Sequence, residues 1–165
     1  MFLKMTVSGL TIDPFTNAPV VILKDTDDKN SLPIWIGLLE ASAIAAELEK
    51  IQFSRPMTHD LLKDVLGRMD VTVEKIEVND IKDNVYYATI HINVNNTSHE
   101  IDARPSDAIA LALRTRSPIY VSTEVIDKSN KMELDDADGK KRIDSKKWSE
   151  LLDELSPESF GKYKM

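Results

Sequence analysis

Residues 102–114 read DARPSDAIALALR, a polar junction followed directly by an apolar segment. Proline keeps the backbone of the residue before it extended, so we expect residues 104–107 to open a helix. The helix, predicted over residues 108–114, is apolar on every side from Ala108 to Leu113. Because a helix without a polar face needs complete cover, we expect it in the core or between subunits.

The periodicity of the flanking sequence predicts a sheet and two more helices around this segment. Strands are predicted at residues 4–13, 19–23, 32–36, 71–78, 85–94, 98–103 and 118–122, the first with a bulge at Gly9. Helices are predicted at residues 40–53 and 58–69, a polar loop at 127–144 and a short terminal helix at 146–155. The fold class is therefore α+β, with a mixed sheet of about seven strands, three core helices and a short C-terminal helix.

Part of the sequence repeats at an offset of 65 residues. The segment from Ser42 to Leu48 lies over the segment from Asp107 to Leu113, and residues 34–36 lie over residues 99–101. The match either reflects a duplicated strand-helix unit or arises from common residues. A duplication would close two strand-helix halves around one core. We assign residues 1–126 to one domain and residues 127–165 to an extension packed on it.

The composition excludes several classes of protein. The chain has 165 residues, enough for a single core, and it has no cysteine, which excludes disulfides and thiolate chemistry. Its 21 Lys and Arg against 28 Asp and Glu give a net charge of −7, which argues against broad binding of nucleic acid. No apolar run approaches the ~20 residues that span a bilayer. We therefore expect a cytoplasmic protein without membrane contact.

Two segments share an Arg-Pro motif at a predicted helix start. Residues 55–60 read RPMTHD and residues 104–107 read RPSD. In one interpretation Thr58 and Ser106 cap the helices and each arginine pairs with the nearby aspartate. In the other, Arg55 and Arg104 add guanidinium donors to the helix amides and bind a phosphate.

Acidic residues near these motifs suggest hydrolytic chemistry. Phosphodiester hydrolysis commonly uses a divalent metal held by two or more acidic side chains. The candidates are Glu40, Asp60, Asp102 and Asp107. His59 is the best candidate for a general base, although a surface histidine without a task is the alternative. No established catalytic signature occurs, and 5 glycines leave little room for a phosphate-cradling loop.

Four aromatic residues fall on predicted strands, namely Trp35, Tyr86, Tyr87 and Tyr120. They either pack across strands or form a platform on which bases stack.

Taken together, the motifs resemble the bacterial bifunctional nuclease domain family. The resemblance rests on LPIWIG at 32–37, RPMTHDLL at 55–62 and above all DARPSDAIALA at 102–112. It implies an α+β domain that forms a homo-oligomer and has nuclease activity toward DNA and RNA. The motif positions that it carries over are Glu40, Arg55, His59, Asp60, Asp102, Arg104, Ser106 and Asp107.

Two functions follow as hypotheses. The first is a nuclease that binds nucleic acid transiently as substrate and uses Mg²⁺ or Mn²⁺ without an organic cofactor. Its expected catalytic residues are His59, Asp60, Asp102 and Asp107, its phosphate-binding residues are Arg55, Arg104 and Ser106, and its metal ligands are Glu40, Asp102 and Asp107. The second is a non-enzymatic oligomeric module that binds a small anion or a partner protein.

Overall fold

The structure, a computed structural model, describes the backbone of residues 1–135 and the side chains of residues 1–131. Within this part, seven strands form one sheet and four helices accompany it, which confirms the α+β class. In chain order the elements are β1 (Phe2–Ile12), β2 (Pro19–Asp25), β3 (Ser31–Trp35), α1 (Leu38–Leu48), α2 (Thr58–Arg68), β4 (Val71–Lys82), β5 (Val85–Val94), β6 (Thr97–Ala103), α3 (Pro105–Thr115), β7 (Ile119–Ser122) and α4 (Thr123–Asp135). The predicted terminal helix at 146–155 lies outside the described residues.

The sheet is mixed, with the strand order β3-β2-β1-β7-β4-β5-β6. All neighbouring strands run antiparallel except β4 and β7, which run parallel. The register of β1 against β2 slips between Val7 and Gly9, which confirms the predicted bulge. The longest of the four described helices has 13 residues, and none of them is able to span a bilayer.

Helix α3 lies in the core, as its apolar sequence predicts. Ala108, Ile109, Ala110, Leu111 and Ala112 are each at most 1% exposed. The helix packs against α1, α2, β4 and β5, so its burial is provided within one chain. Helices α1 and α2, which carry the site described below together with α3, therefore both pack against this central helix.

The order of elements repeats in the way that a duplication predicts. A three-stranded antiparallel unit followed by a helix occurs as β1-β2-β3-α1 and again as β4-β5-β6-α3. The residues that precede the two helices, Gly37 and Arg104, lie 67 positions apart. This structural offset differs by two from the sequence offset of 65, and it aligns Glu40 with Asp107.

Helix α1 ends at Leu48, so the predicted extension to residue 53 is wrong. Lys50 adopts a left-handed conformation with φ of 53°. The amide of Lys50 then donates to the carbonyl of Glu47 and the amide of Ile51 donates to that of Ala46. This is a Schellman ending, which usually carries glycine at the left-handed position. A lysine at this position does not indicate in the sequence that the helix ends here.

The predicted polar loop at 127–144 is wrong for its first part, because α4 continues to Asp135. Val125, Ile126 and Ser129 are at most 3% exposed and lie on one face of the helix. The Ser129 hydroxyl also lies 3.0 Å from the Tyr86 hydroxyl, within hydrogen-bond distance. Among the described side chains of α4, these three inward residues pack the helix against the rest of the fold. Residues 136–144 lie outside the described part.

Candidate active site

Three helices begin side by side, each with an acid at its third position. These residues are Glu40 in α1, Asp60 in α2 and Asp107 in α3. Acidic side chains are favoured there because the first turn carries the positive end of the helix dipole. Both α1 and α2 pack against α3, which brings the three helix starts together.

Arg104 links two of these acids. Its Nη1 donates to Glu40 Oε1 at 2.7 Å and its Nε donates to Asp107 Oδ2 at 2.8 Å. Hydrogen bonds to Asp107 and then to Glu40 raise the pKa of Arg104 above its ordinary value. The side chain is nevertheless 64% exposed. The guanidinium is therefore fixed in position while it still faces solvent.

His59 contacts the same aspartate on its other oxygen. His59 Nε2 lies 2.9 Å from Asp107 Oδ1, and the histidine side chain is 14% exposed. Burial favours a higher pKa for Asp107, but hydrogen bonds from Arg104 and His59 outweigh it and lower the pKa below its ordinary value. Asp107 is thus an anion at neutral pH, and its Oδ1 accepts a hydrogen bond from the N–H at Nε2 of His59. In neutral His59 the lone pair is then on Nδ1, which is the arrangement of a general base oriented by a carboxylate.

Arg114 is the residue that sequence reasoning missed. Its side chain is 4% exposed, and its Nε donates to Asp60 Oδ1 at 2.7 Å. Its remaining nitrogens donate to the carbonyls of Ala110 at 2.9 Å and Ala43 at 3.0 Å. Arg114 therefore ties α1, α2 and α3 together beneath the site. The available signal was that Arg114 directly follows the six apolar residues 108–113 in a helix expected to be buried.

A cavity of about 360 Å³ opens between these helix starts. It is lined by the apolar residues Leu39, Ala43, Ala46, Phe53 and Met57 and by the polar residues Glu40, Ser42, Thr58, His59, Arg104, Asp107 and Arg114. The lining thus combines apolar cover with guanidinium donors and a histidine-aspartate pair. This combination is typical of a ligand site.

A family model for the bifunctional nuclease domain matches residues 21–133. The chain belongs to this family. It is 32% identical over 162 residues to a protein of Mycobacterium tuberculosis named only as uncharacterized, with 95% of this chain and 97% of that protein aligned. It is also similar to bifunctional nuclease 1 of Arabidopsis thaliana, with 30% identity over 108 residues, 63% of this chain and 33% of that protein. For bifunctional nuclease 1 of Oryza sativa subsp. japonica the identity is 28% over 109 residues, 64% of this chain and 33% of that protein.

The fold brings four of the eight family-motif residues to the cavity: Glu40, His59, Arg104 and Asp107. Asp60 does not line the cavity but forms a hydrogen bond with Arg114, which does. Burial favours a higher pKa for the Asp60 carboxyl, but the hydrogen bonds from Arg114 and the Met57 amide lower the pKa below its ordinary value. The other three residues do not line the cavity. Ser106 is buried at 6% exposure, while Arg55 and Asp102 are exposed.

Asp102 lies on the sheet face that points away from the helices. It pairs with Thr89, whereas its neighbour Ile101 pairs with Ile90, a core residue. Because successive strand residues alternate between faces, Asp102 is directed away from Asp107 although only five positions separate them. Arg55 lies in the loop between Phe53 and Met57, both of which line the cavity.

The predicted side-chain caps are wrong. Neither Thr58 nor Ser106 occupies the cap position, which belongs to Met57 and Arg104, and neither helix has a hydrogen bond from a cap side chain. At α2 the third residue caps instead, because the Met57 amide donates to Asp60 Oδ2 at 3.0 Å. Helix α2 begins at Thr58, as predicted, whereas α3 begins at Pro105, three residues before its predicted start.

The side chains as arranged do not fit a divalent metal. Arg104 already supplies the positive charge between Glu40 and Asp107, and Asp102 faces elsewhere. Among the described side chains, no group of three or more histidine, aspartate or glutamate residues is arranged to hold an ion. The expected Mg²⁺ or Mn²⁺ at Glu40, Asp102 and Asp107 stays a prediction, and no chemical step below depends on it.

Proposed function

We propose that this protein is a cytoplasmic nuclease that hydrolyses phosphodiester bonds in DNA, RNA or both. The observation that carries the proposal is the arrangement of His59, Asp107 and Arg104 at the cavity. Membership of the bifunctional nuclease domain family and the names of the plant relatives support the same reaction class. The proposal gives each of the three side chains one task.

Arg104 binds the scissile phosphate. Its exposed guanidinium stabilises the negative charge that develops on the phosphate oxygens as a water molecule attacks phosphorus. His59 accepts a proton from this water, and Asp107 holds the resulting imidazolium in place. The new phosphorus–oxygen bond forms as the bond to the departing sugar oxygen breaks. That oxygen takes up a proton, supplied by protonated His59 or by solvent.

The first test replaces the base. General-base catalysis contributes about 10²- to 10⁴-fold to a rate, so His59→Gln is expected to lower kcat by a factor in that range. His99→Gln is the matched control, because His99 is an exposed histidine on β6. The substrates are single-stranded DNA and RNA, with product measured on gels. Equal rates for the wild type and His59→Gln contradict the assignment of His59.

The second test addresses the metal. The assay is run in EDTA and in added Mg²⁺ or Mn²⁺, with Arg104→Ala beside the wild type. Cleavage in EDTA that needs Arg104 supports the proposed mechanism. Cleavage only with added metal, lost in Glu40→Gln but kept in Arg104→Ala, contradicts it and supports the predicted carboxylate site instead.

A second candidate is an oligomeric binding module, which one surface favours. Helix α2 has no buried residue, and it exposes Leu61, Leu62, Val65 and, just beyond its end, Met69. Exposed apolar patches of this kind commonly mark protein contacts. We propose that a second copy of the chain covers this face. Light scattering of the wild type and of Leu62→Asp tests it, since the variant is expected to be monomeric. Absence of cleavage under every metal condition, together with a stable oligomer, favours this candidate over the nuclease.

A further inference from the structure

We infer that the cavity takes one unpaired base, so that the substrate is single-stranded nucleic acid. Phe53 stacks on the base, while Arg104 and Arg55 bind the neighbouring phosphates. This inference rests on the proposed nuclease function and specifies the substrate of the same site. It follows from the size of the cavity, the apolar residues in its lining and the presence of two exposed arginines at or near it.

The cavity has the size and lining of a pocket for one small planar group. Its volume of about 360 Å³ lies near the lower end of the ~300–1,000 Å³ that ligand pockets occupy. Leu39, Met57 and Phe53 contribute apolar surface to its lining, and the reacting groups His59 and Arg104 belong to the same lining. A hydrolytic site that bound only phosphate would not need these apolar residues in its lining.

Among the described residues that line the cavity, Phe53 is the one Phe, Tyr or Trp. It lies in the loop between α1 and α2 and is half-buried, so part of the ring is available to a ligand. Every base has a π-face, and aromatic side chains stack on bases without regard to sequence. A site that uses stacking in this way suits a substrate range that includes both DNA and RNA.

Two exposed arginines belong to the cavity or to a loop that lines it. Arg104 is 64% exposed at the edge of the cavity, and Arg55 is exposed two residues after Phe53. Arg55 forms no ion pair with any residue of the described part. The net charge of −7 disfavours extended contact with a phosphate backbone, so we expect one or two phosphate contacts at the cavity. The logarithm of the affinity for a single strand should then fall with the logarithm of salt concentration with a slope of about −0.7 to −1.4.

A duplex is disfavoured because its bases are paired and stacked. A base has to leave the stack before it enters the cavity, which costs a few kcal/mol in duplex DNA and much less in a single strand. Binding of the single strand is therefore expected to be at least tenfold tighter than binding of the same sequence as a duplex.

The test measures binding by fluorescence anisotropy in the full chain carrying His59→Gln, which is expected to slow cleavage during the measurement. The probes are a 12-nucleotide oligothymidylate, its duplex with oligoadenylate, and a 12-mer of the same backbone without bases. We expect Phe53→Ala to weaken oligothymidylate binding by about 5- to 150-fold, the equivalent of ~1–3 kcal/mol, and to leave binding of the abasic strand unchanged. Phe53→Leu keeps apolar volume but removes the π-face, so a loss in this variant excludes a folding defect.

Tyr87→Ala is the matched control, because Tyr87 is an aromatic residue of β5 at 39% exposure. Unchanged binding in this variant supports the cavity. A loss in Tyr87→Ala but not in Phe53→Ala would place stacking on the sheet and overturn the inference. Equal affinities for the abasic strand and oligothymidylate, or for duplex and single strand, would overturn it as well.

Failure of this inference and failure of the proposed function have different signatures. If wild-type protein cleaves duplex and single strand at equal rates and Phe53→Ala does not alter either, the base pocket is wrong and the nuclease stands. If base-dependent binding is found but no substrate is cleaved under any metal condition, the nuclease is wrong and the base pocket stands.

Discussion

Arg114→Met removes the guanidinium that joins the three helices beneath the site and puts an unbranched apolar side chain in its place. The arginine donates to Asp60 at 2.7 Å and to the carbonyls of Ala110 and Ala43 at 2.9 and 3.0 Å. Both carbonyls belong to helices, where they also accept backbone bonds. The main loss is therefore the charge-assisted bond to Asp60.

The magnitude follows from the burial of the two partners. Removing one member of a fully buried ion pair costs about 3–5 kcal/mol, because the other charge is left unpaired. Arg114 is 4% exposed, but the Asp60 side chain is 35% exposed and regains water. We therefore expect the lower end, about 3 kcal/mol of unfolding free energy. For a chain of this length the melting temperature should fall by about 6–12 °C.

The assay is thermal unfolding followed by circular dichroism at pH 7. The matched control is Arg116→Met, since Arg116 is an exposed arginine just beyond the same helix, and a surface change of this kind alters stability by at most ~0.5 kcal/mol. A double-mutant cycle with Asp60→Asn should give a coupling of about 1.5–3 kcal/mol. A fall in Tm no larger than that of the control, or a coupling near zero, would refute the bracing role of Arg114.

Three further predictions concern the helices that carry the site. Gly37→Ala should displace Glu40 from Arg104, because a Cβ at position 37 would overlap the Glu40 carboxylate. The expected result is an altered KM in the cleavage assay, with a melting temperature within about 2 °C of wild type. An unchanged KM contradicts this prediction. The pKa of Asp60 is lowered in the folded state, so the stability that its carboxylate provides is complete above the ordinary pKa of ~3.9 and is lost as pH falls through the folded value. The urea midpoints at pH 7 and pH 3 should therefore differ less in Asp60→Asn than in the wild type. An equal fall of the midpoint in both proteins argues against this prediction. Gly67→Ala should raise stability by about 0.5–1 kcal/mol, measured by urea unfolding, because a Cβ in this turn of α2 has nothing within 4 Å; a loss of stability would show that this face is already covered.

Much of the fold was predictable because it depends on local patterns. The predicted strand at 85–94 coincides with β5, and the apolar helix after Arg104-Pro105 is buried as its sequence requires. The end of α1 was not predictable, because Lys50 adopts a conformation for which the sequence carries no glycine. Helix α4 was missed because most residues of its segment are polar, although Val125, Ile126 and Ser129 are buried.

The candidate site was predictable only in part. The pairing of Arg104 with Asp107 follows from their spacing at one helix start. The contact between His59 and Asp107 joins residues 48 positions apart, and that between Arg104 and Glu40 joins residues 64 apart. No local pattern specifies such contacts, because they arise when α1 and α2 both pack against α3.

The sequence by itself determined the fold class, the buried helix α3, the family and the residue types at the helix starts. These features depend on periodicity and on the preference of acids for helix N-termini, which are properties of short segments. Only the tertiary structure decided which of those residues meet. It separated Asp102 from Asp107 by the alternation of strand faces, and it gave Arg114 its place beneath the site. The physical reason is that the direction of a side chain is set by strand register and helix packing, which involve residues far apart in the chain.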